Sequence, residues 1–236
     1  MGSSNVDIGT VQFASLDLDK PATEQIFVGL RNAILRMELP PGCLISETEI
    51  GEQFGASRTP VRAALTQLRN DGLIVTRPSR GNYVAKLSEK RIRAAQFIRE
   101  SLELAIVKKL SENGLSDLHR DKLEQTLDLQ KDTIGSNLDL EFHTHDDAFH
   151  IGLAAATDME PVEKLYVREK VNLDRLRGLG MDNSIHKAGL WQQHRDILDA
   201  VIAQDPVLAV ANMQTHLGCI VGKLKKLMQD NQDYFE

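Results

Sequence analysis

Along residues 24–37 the apolar side chains Ile26, Phe27, Leu30, Ile34 and Met37 recur at helical spacing, which predicts an amphipathic helix stopped by Leu39-Pro-Pro-Gly42. A second helix is expected to start at Ser46, because Ser46 and Glu49 form a capping box. Gly55-Ala56 makes a tight turn, Ser57 is placed to cap a third helix, and Pro60 falls in that helix's first turn, where backbone N–H groups lack intrahelical partners. Leu73–Thr76 and Asn82–Ala85 are short β-rich runs around Arg77-Pro-Ser-Arg-Gly81, a turn by its proline and glycine. Helix, turn, helix and hairpin in this order predict a small winged helix-turn-helix over residues 21–86. Residues 1–20 have no clear period and read as a mobile tail.

After a connector at 87–90 the periodicity is helical throughout, with segments near 89–113, 116–133, 138–157, 160–178, 188–203 and 206–230. Gly114, Gly135-Ser-Asn137, Asp158, Gly178-Leu-Gly180 and Asp205-Pro206 separate them. No alternating β-branched run interrupts the series. Residues 91–236 are therefore expected to form an all-α antiparallel bundle of six or seven helices, and composition agrees: 42% of residues are hydrophobic but only 5% aromatic, which suits an aliphatic helical core. The stretch from Gly178 to Gly189 is read, on composition alone, as a lid.

Charge changes the picture of the first domain. The chain carries a net charge of −6, yet from Arg58 to Lys86 there are six basic residues (Arg58, Arg62, Arg69, Arg77, Arg80, Lys86) against one acid, Asp71. A local basic patch on an acidic chain is an electrostatic footprint for phosphate, and Arg58 and Arg62 share one helix face. Cys43 and Cys219 form no CxxC pair and read as reduced thiols of a cytoplasmic protein; no apolar run approaches the length of a membrane span.

Four polar residues stand in the apolar stripes of the second domain. In 138–157 the stripe runs Phe142, Asp146, Phe149/His150, Leu153; in 188–203 it runs Leu190, His194, Ile197/Leu198, Val201; in 206–230 it runs Met213, His216/Leu217, Ile220, Leu224. His194 and His216 lie equally far on either side of Asp205, so an antiparallel pair turning at Asp205-Pro206 brings both to the same height, about 16 Å from the turn. One carboxylate and three imidazoles meeting in a bundle core suit a divalent ion of borderline softness, zinc or nickel, with open positions that a small carboxylate could fill. His143, Asp147 and His150 share a competing helical spacing, His145 is a further candidate, and Cys219 lies one turn from His216. His119 and His186 read as surface or loop residues.

With these residues in view, the chain resembles the GntR family of bacterial transcription regulators, in its FadR-like subgroup with an FCD effector domain, over about residues 25–226. The resemblance rests on Ser57-Arg-Thr-Pro-Val-Arg62 followed by Leu65, Leu68 and Asp71-Gly-Leu-Ile74, on Arg80-Gly81 before Tyr83-Val84, and on Arg99-Glu-Ser-Leu-Glu103. Asp146-Asp-Ala-Phe-His150, His194 through Val201, and Asp205-Pro206 through His216-Leu217 complete it. It implies that Arg58 and Arg62 contact guanines and phosphates of a DNA operator, that Ser57 and Thr59 contact its backbone, and that Arg77, Arg80 and Gly81 form the wing. It also implies Asp146, His150, His194 and His216 as metal ligands. Thr48 stands where relatives often carry a DNA-touching arginine. Arg99 is the candidate for pairing an effector carboxylate, with a salt bridge to Glu103 as the alternative.

Together these features imply a homodimeric regulator, probing a short inverted repeat of double-stranded DNA under control of a small organic acid at the metal site. A metal-responsive regulator with the ion as signal is the rival. A metal-dependent hydrolase is a further one, disfavoured because no distinctive general base accompanies the histidines.

Overall fold

The computed structural model describes residues 8–135, 139–179 and 184–236. The chain divides into two compact units: residues 1–91 with 174–179 and 226–236 form one, and residues 92–173 with 180–225 form the other.

In the first unit, α1 (Ala22–Leu35) buries Ile26, Leu30, Ala33 and Ile34 against α3 (Arg58–Asn70). It ends earlier than its apolar stripe, because Met37 turns into the left-handed region at φ 61°. α2 (Glu47–Phe54) is capped by Ser46, whose hydroxyl accepts the Glu49 N–H, and it closes at Gly55 with φ 61°, a conformation glycine adopts without steric cost. The hairpin of β2 (Ile74–Arg77) and β3 (Gly81–Val84) is as the pattern predicts, but among the described residues the sheet has three strands. β1 (Leu44–Ile45) joins β3 on its other side, pairing Leu44 with Tyr83, and two residues are too few to show a period.

Two expectations change here. Residues 8–20 are not a loose tail: Ile8 is fully buried, the Ile8 carbonyl accepts from Gln53 Nε2, and the Phe13 and Phe54 rings lie 4.7 Å apart. Residues 1–7 lie outside the described residues. The connector is not free either. Leu87 is buried and pairs in parallel with Phe235, its N–H donating to Tyr234 O and its carbonyl accepting from Glu236 N–H. Arg175, also buried, donates to Ala85 O, and burial brings its guanidinium pKa down to about 10. The first unit is thus completed by two segments from much later in the chain.

The second unit is built from α4 (Glu89–Asn113), α5 (Asp117–Asp132), α6 (Asp139–Ala155), α7 (Glu160–Glu169), the start of α8 (Val171–Arg177), α9 (Ser184–Ile202) and α10 (Pro206–Asp230), the rest of α8 from Asp174 and the end residues of α4 and α10 belonging to the first. Seven helices agree with the expected bundle, except that the segment near 160–178 breaks at Lys170, where the Lys170 ammonium is drawn onto Asp147 at 2.7 Å. Its aliphatic core joins Ile106, Leu110, Leu123, Leu127, Leu153, Ile197, Val201 and Met213 from five helices. Asp205 caps α10 by accepting the Leu208 N–H. Of the stretch read as a lid, 180–183 lie outside the described residues and 184–189 are the start of α9. Gly178 is held close to α1, where a Cβ would come within 2.7 Å of Leu35 O.

Candidate functional site

One turn of α6 separates Asp146 from His150, so both side chains leave the same face; α9 and α10 then bring His194 and His216 to meet them. Ligand atoms of the four residues lie within 4.8 Å of one another, and all four are buried, at 0–5% exposure. His150 Nε2 is 3.1 Å and His194 Nε2 is 3.3 Å from His216 Nε2, and Asp146 Oδ1 is 3.4 Å from His194 Nε2.

The opposite ring nitrogens explain why these contacts are not ordinary hydrogen bonds. His150 Nδ1 meets Glu103, His194 Nδ1 meets Gln130 Oε1 at 2.9 Å, and His216 Nδ1 meets Gln193 Oε1 at 3.0 Å. A carboxylate and two amide oxygens only accept, so each Nδ1 carries the proton and each Nε2 turns a lone pair toward the others. Three converging lone pairs and a carboxylate repel one another without a cation, and the three contacts of 3.1, 3.3 and 3.4 Å match neighbouring ligands at roughly 2.0–2.1 Å from a common ion. Burial, then the proximity of His194 and His150, pushes the His216 pKa well below its usual value, so that ring stays neutral. The residues present therefore fit a divalent metal.

Glu103 was seen in the sequence only as part of the Arg99 pattern. Burial alone would raise its carboxyl, but Arg99 and His150 outweigh that and hold it down at about 2. It is a fully charged acceptor between an arginine and a histidine. Arg99 is itself buried, and its Nε donates to Glu103, so the salt bridge that the sequence left as an alternative is present. Gln130 had a signal that went unread: it follows Leu123 and Leu127 on the buried stripe of α5. Gln193 had none, sitting beside His194 with no pattern of its own.

Other candidates stay outside the cluster. His143 packs its ring edge against Phe142, His145 is partly exposed, and Asp147 holds Lys170. Cys219 is a free thiol whose Sγ points to Thr215 O, and His119 pairs with Ser116. The His186 side chain lies outside what the structure describes.

On the first unit, Ser57, Arg58, Thr59 and Arg62 are all exposed at the start of α3. Ser57 occupies the capping position yet makes no capping hydrogen bond, contrary to the sequence reading. Pro60, at the third helical position, has no N–H, which removes one of the two donors such a cap can use and leaves only that of Thr59. The hydroxyl is left for another partner. At the hairpin, Arg77 lies over the Tyr83 ring at 4.7 Å, Tyr83 OH donates to Arg80 O, and Gly81 takes φ 103°. Arg69, part of the basic patch in the sequence, bonds Thr66, Thr76 and Asn82 and so ties the hairpin to α3. Among the described residues no helix is long and apolar enough to cross a membrane.

Comparison with known proteins bears on both units. Residues 22–84 match the model described as bacterial regulatory proteins, gntR family, and residues 96–218 match the FCD domain. An HTH-type transcriptional regulator from an unstable DNA locus of Streptomyces ambofaciens is 34% identical over 89% of this chain and 88% of its own. The HTH-type transcriptional repressor RspR of Escherichia coli (strain K12) is 32% identical over 93% and 96%. A crystal structure of a GntR-type regulator from Rhodococcus sp. RHA1 shares the fold with a TM-score of 0.73 at 24% identity, over 86% of this chain and 99% of that one.

Proposed function

The chain belongs to the GntR family of bacterial regulatory proteins, as a transcription regulator carrying an FCD domain, and we propose that it is a homodimeric repressor released from its operator by a small organic acid bound at a divalent-metal site. Repression as the sign is supported by its likeness to a relative described as a repressor. The metal reading is carried by one observation: three histidines, each with Nδ1 occupied by an acceptor, turn Nε2 toward one another and toward Asp146. Asp146, His150, His194 and His216 would hold the ion, zinc or nickel by donor type. Bound there, it would supply a Lewis acid for a carboxylate oxygen.

The chain's own residues do the rest. Glu103, Gln130 and Gln193 fix the three rings, and Arg99 braces Glu103, which is the role we assign it in place of direct effector contact. Ser57, Arg58, Thr59 and Arg62, with Arg77, Arg80 and Gly81 at the wing, would face a short inverted repeat, two-fold like the dimer. An acid that binds one arrangement of the protein more tightly than another shifts operator affinity by that difference.

Elemental analysis of the purified protein, followed by thermal shift with a panel of small carboxylates before and after chelation, tests this. The expected result is about one divalent ion per chain and stabilisation by an acid that chelation abolishes. Operator release by Zn²⁺ or Ni²⁺ alone, with no acid, would replace this reading with an ion-sensing one. Absence of metal would remove the site.

A further inference from the structure

The two helices of the DNA-facing motif exchange one charge contact. Glu47 is the first residue of α2 and Arg62 the fifth of α3, and Arg62 Nε donates to Glu47 Oε2 at 2.8 Å. The Arg62 side chain is 65% exposed and that of Glu47 31%. Contact with the carboxylate raises the Arg62 pKa further, keeping it charged.

Which nitrogen makes this bond matters. Nε lies on the flank of the guanidinium, and among the described residues the terminal nitrogens of Arg62 make no hydrogen bond. A guanidinium pinned at its flank keeps its terminal N–H groups for a second partner, in a fixed plane. Guanine, with O6 and N7 side by side in the major groove, is matched by such a planar pair of donors. A phosphate needs no such pin, because any donor of a mobile arginine serves it. Arg58, one turn earlier on the same face, has no side-chain partner among the described residues.

We propose that Glu47 is a specificity-determining positioning residue: it holds Arg62 in the plane that reads a guanine. Two physical effects combine. Ordering the arginine before binding removes the entropy loss that a long flexible side chain otherwise suffers on binding. A carboxylate beside the groove also repels phosphate, so Arg62 gains little from DNA that lacks the guanine. Glu47 is free for this because Ser46, not Glu47, caps α2. The inference rests on α3 being the recognition helix.

The test uses the full chain and an operator duplex selected by that chain from a random-sequence library, with every single-base variant of one half-site measured by fluorescence anisotropy. In the unaltered protein one guanine per half-site should be worth roughly 5- to 150-fold in affinity. Glu47→Ala should shrink that single penalty to about threefold or less, and bind a scrambled duplex as well as before or better. Glu47→Gln, isosteric and able to accept the same bond, should fall between. Glu49→Ala, which also removes an acid from the first turn of α2, should keep the full penalty.

An undiminished guanine penalty in Glu47→Ala would overturn the proposal, as would an equal loss on every duplex in both Glu47 variants. Arg62→Ala separates the two levels of the argument. If it erases the guanine preference while Glu47→Ala does not, only the positioning role fails; if it leaves operator binding intact, α3 is not the recognition helix.

Discussion

In the first unit the polar groups assigned to function stand in solvent, and in the second they are sealed from it. Arg58, Arg62, Arg77 and Arg80 stay exposed when the chain folds, Arg62 against Glu47 and Arg77 over Tyr83, so most of their desolvation is deferred until a partner arrives. Asp146, His150, His194 and His216 lose theirs on folding, together with Glu103 and Arg99. Their cost falls on stability itself unless partners meet every lone pair and proton. A surface interface of this kind tolerates substitution and can drift toward new sequences. A buried centre ties binding to the fold, and the hydrogen-bonded acceptors behind each histidine are the structural mark of that tie.

The difference can be broken at its strongest point first. Glu103→Gln removes the carboxylate charge that meets both buried Arg99 and His150, and should cost roughly 3–5 kcal/mol in urea unfolding of metal-free protein; a loss near zero would mean the buried network is not structural. Chelation comes next. Saturating metal should raise the melting temperature by about 10 °C, from roughly 4 kcal/mol of linkage and 2–4 °C per kcal/mol in a chain of this size. His194→Ala should melt alike with and without chelator, and a metal-dependent shift in that variant would take His194 out of the site.

The exposed unit should behave in reverse. Arg62→Ala is expected to lose roughly 1–3 kcal/mol of operator affinity while its folding free energy moves by no more than about 0.5 kcal/mol. A parallel fall in stability would make Arg62 a structural residue. The finest test compares two serines. Ser46→Ala removes a working cap and should cost α2 about 1 kcal/mol. Ser57→Ala removes a hydroxyl that makes no capping hydrogen bond and should leave thermal unfolding unchanged while weakening DNA binding slightly; equal losses of stability would mean that Ser57 caps α3 after all.

Much of this could be read from spacing. The helix-turn-helix announces itself through a cap, a left-handed glycine and a proline, each fixed by local backbone chemistry. Asp146, His150, His194 and His216 stand out because a polar residue in an apolar stripe has to be accounted for. What escaped was what tertiary contact alone decides. Gln193 and Glu103 gain their roles from histidines on other helices, with no period to expose them. β1 is too short for alternation, and Ile8 and Phe13 are isolated apolar residues whose burial depends on α2. The absent Ser57 cap bond is legible only in part: Pro60 has no N–H to give, but that of Thr59 remains.

The pairing of Leu87 with Phe235 has a consequence for biosynthesis. Residues 226–236 belong to the DNA-binding unit, yet they are translated roughly 140 residues after Lys86, many seconds later at ordinary elongation rates. Throughout that interval Leu87 lacks the strand that covers it. The unit that is made first cannot be the unit that is finished first, so maturation of the DNA-binding half waits on emergence of residues 234–236, beyond α10, from the ribosome.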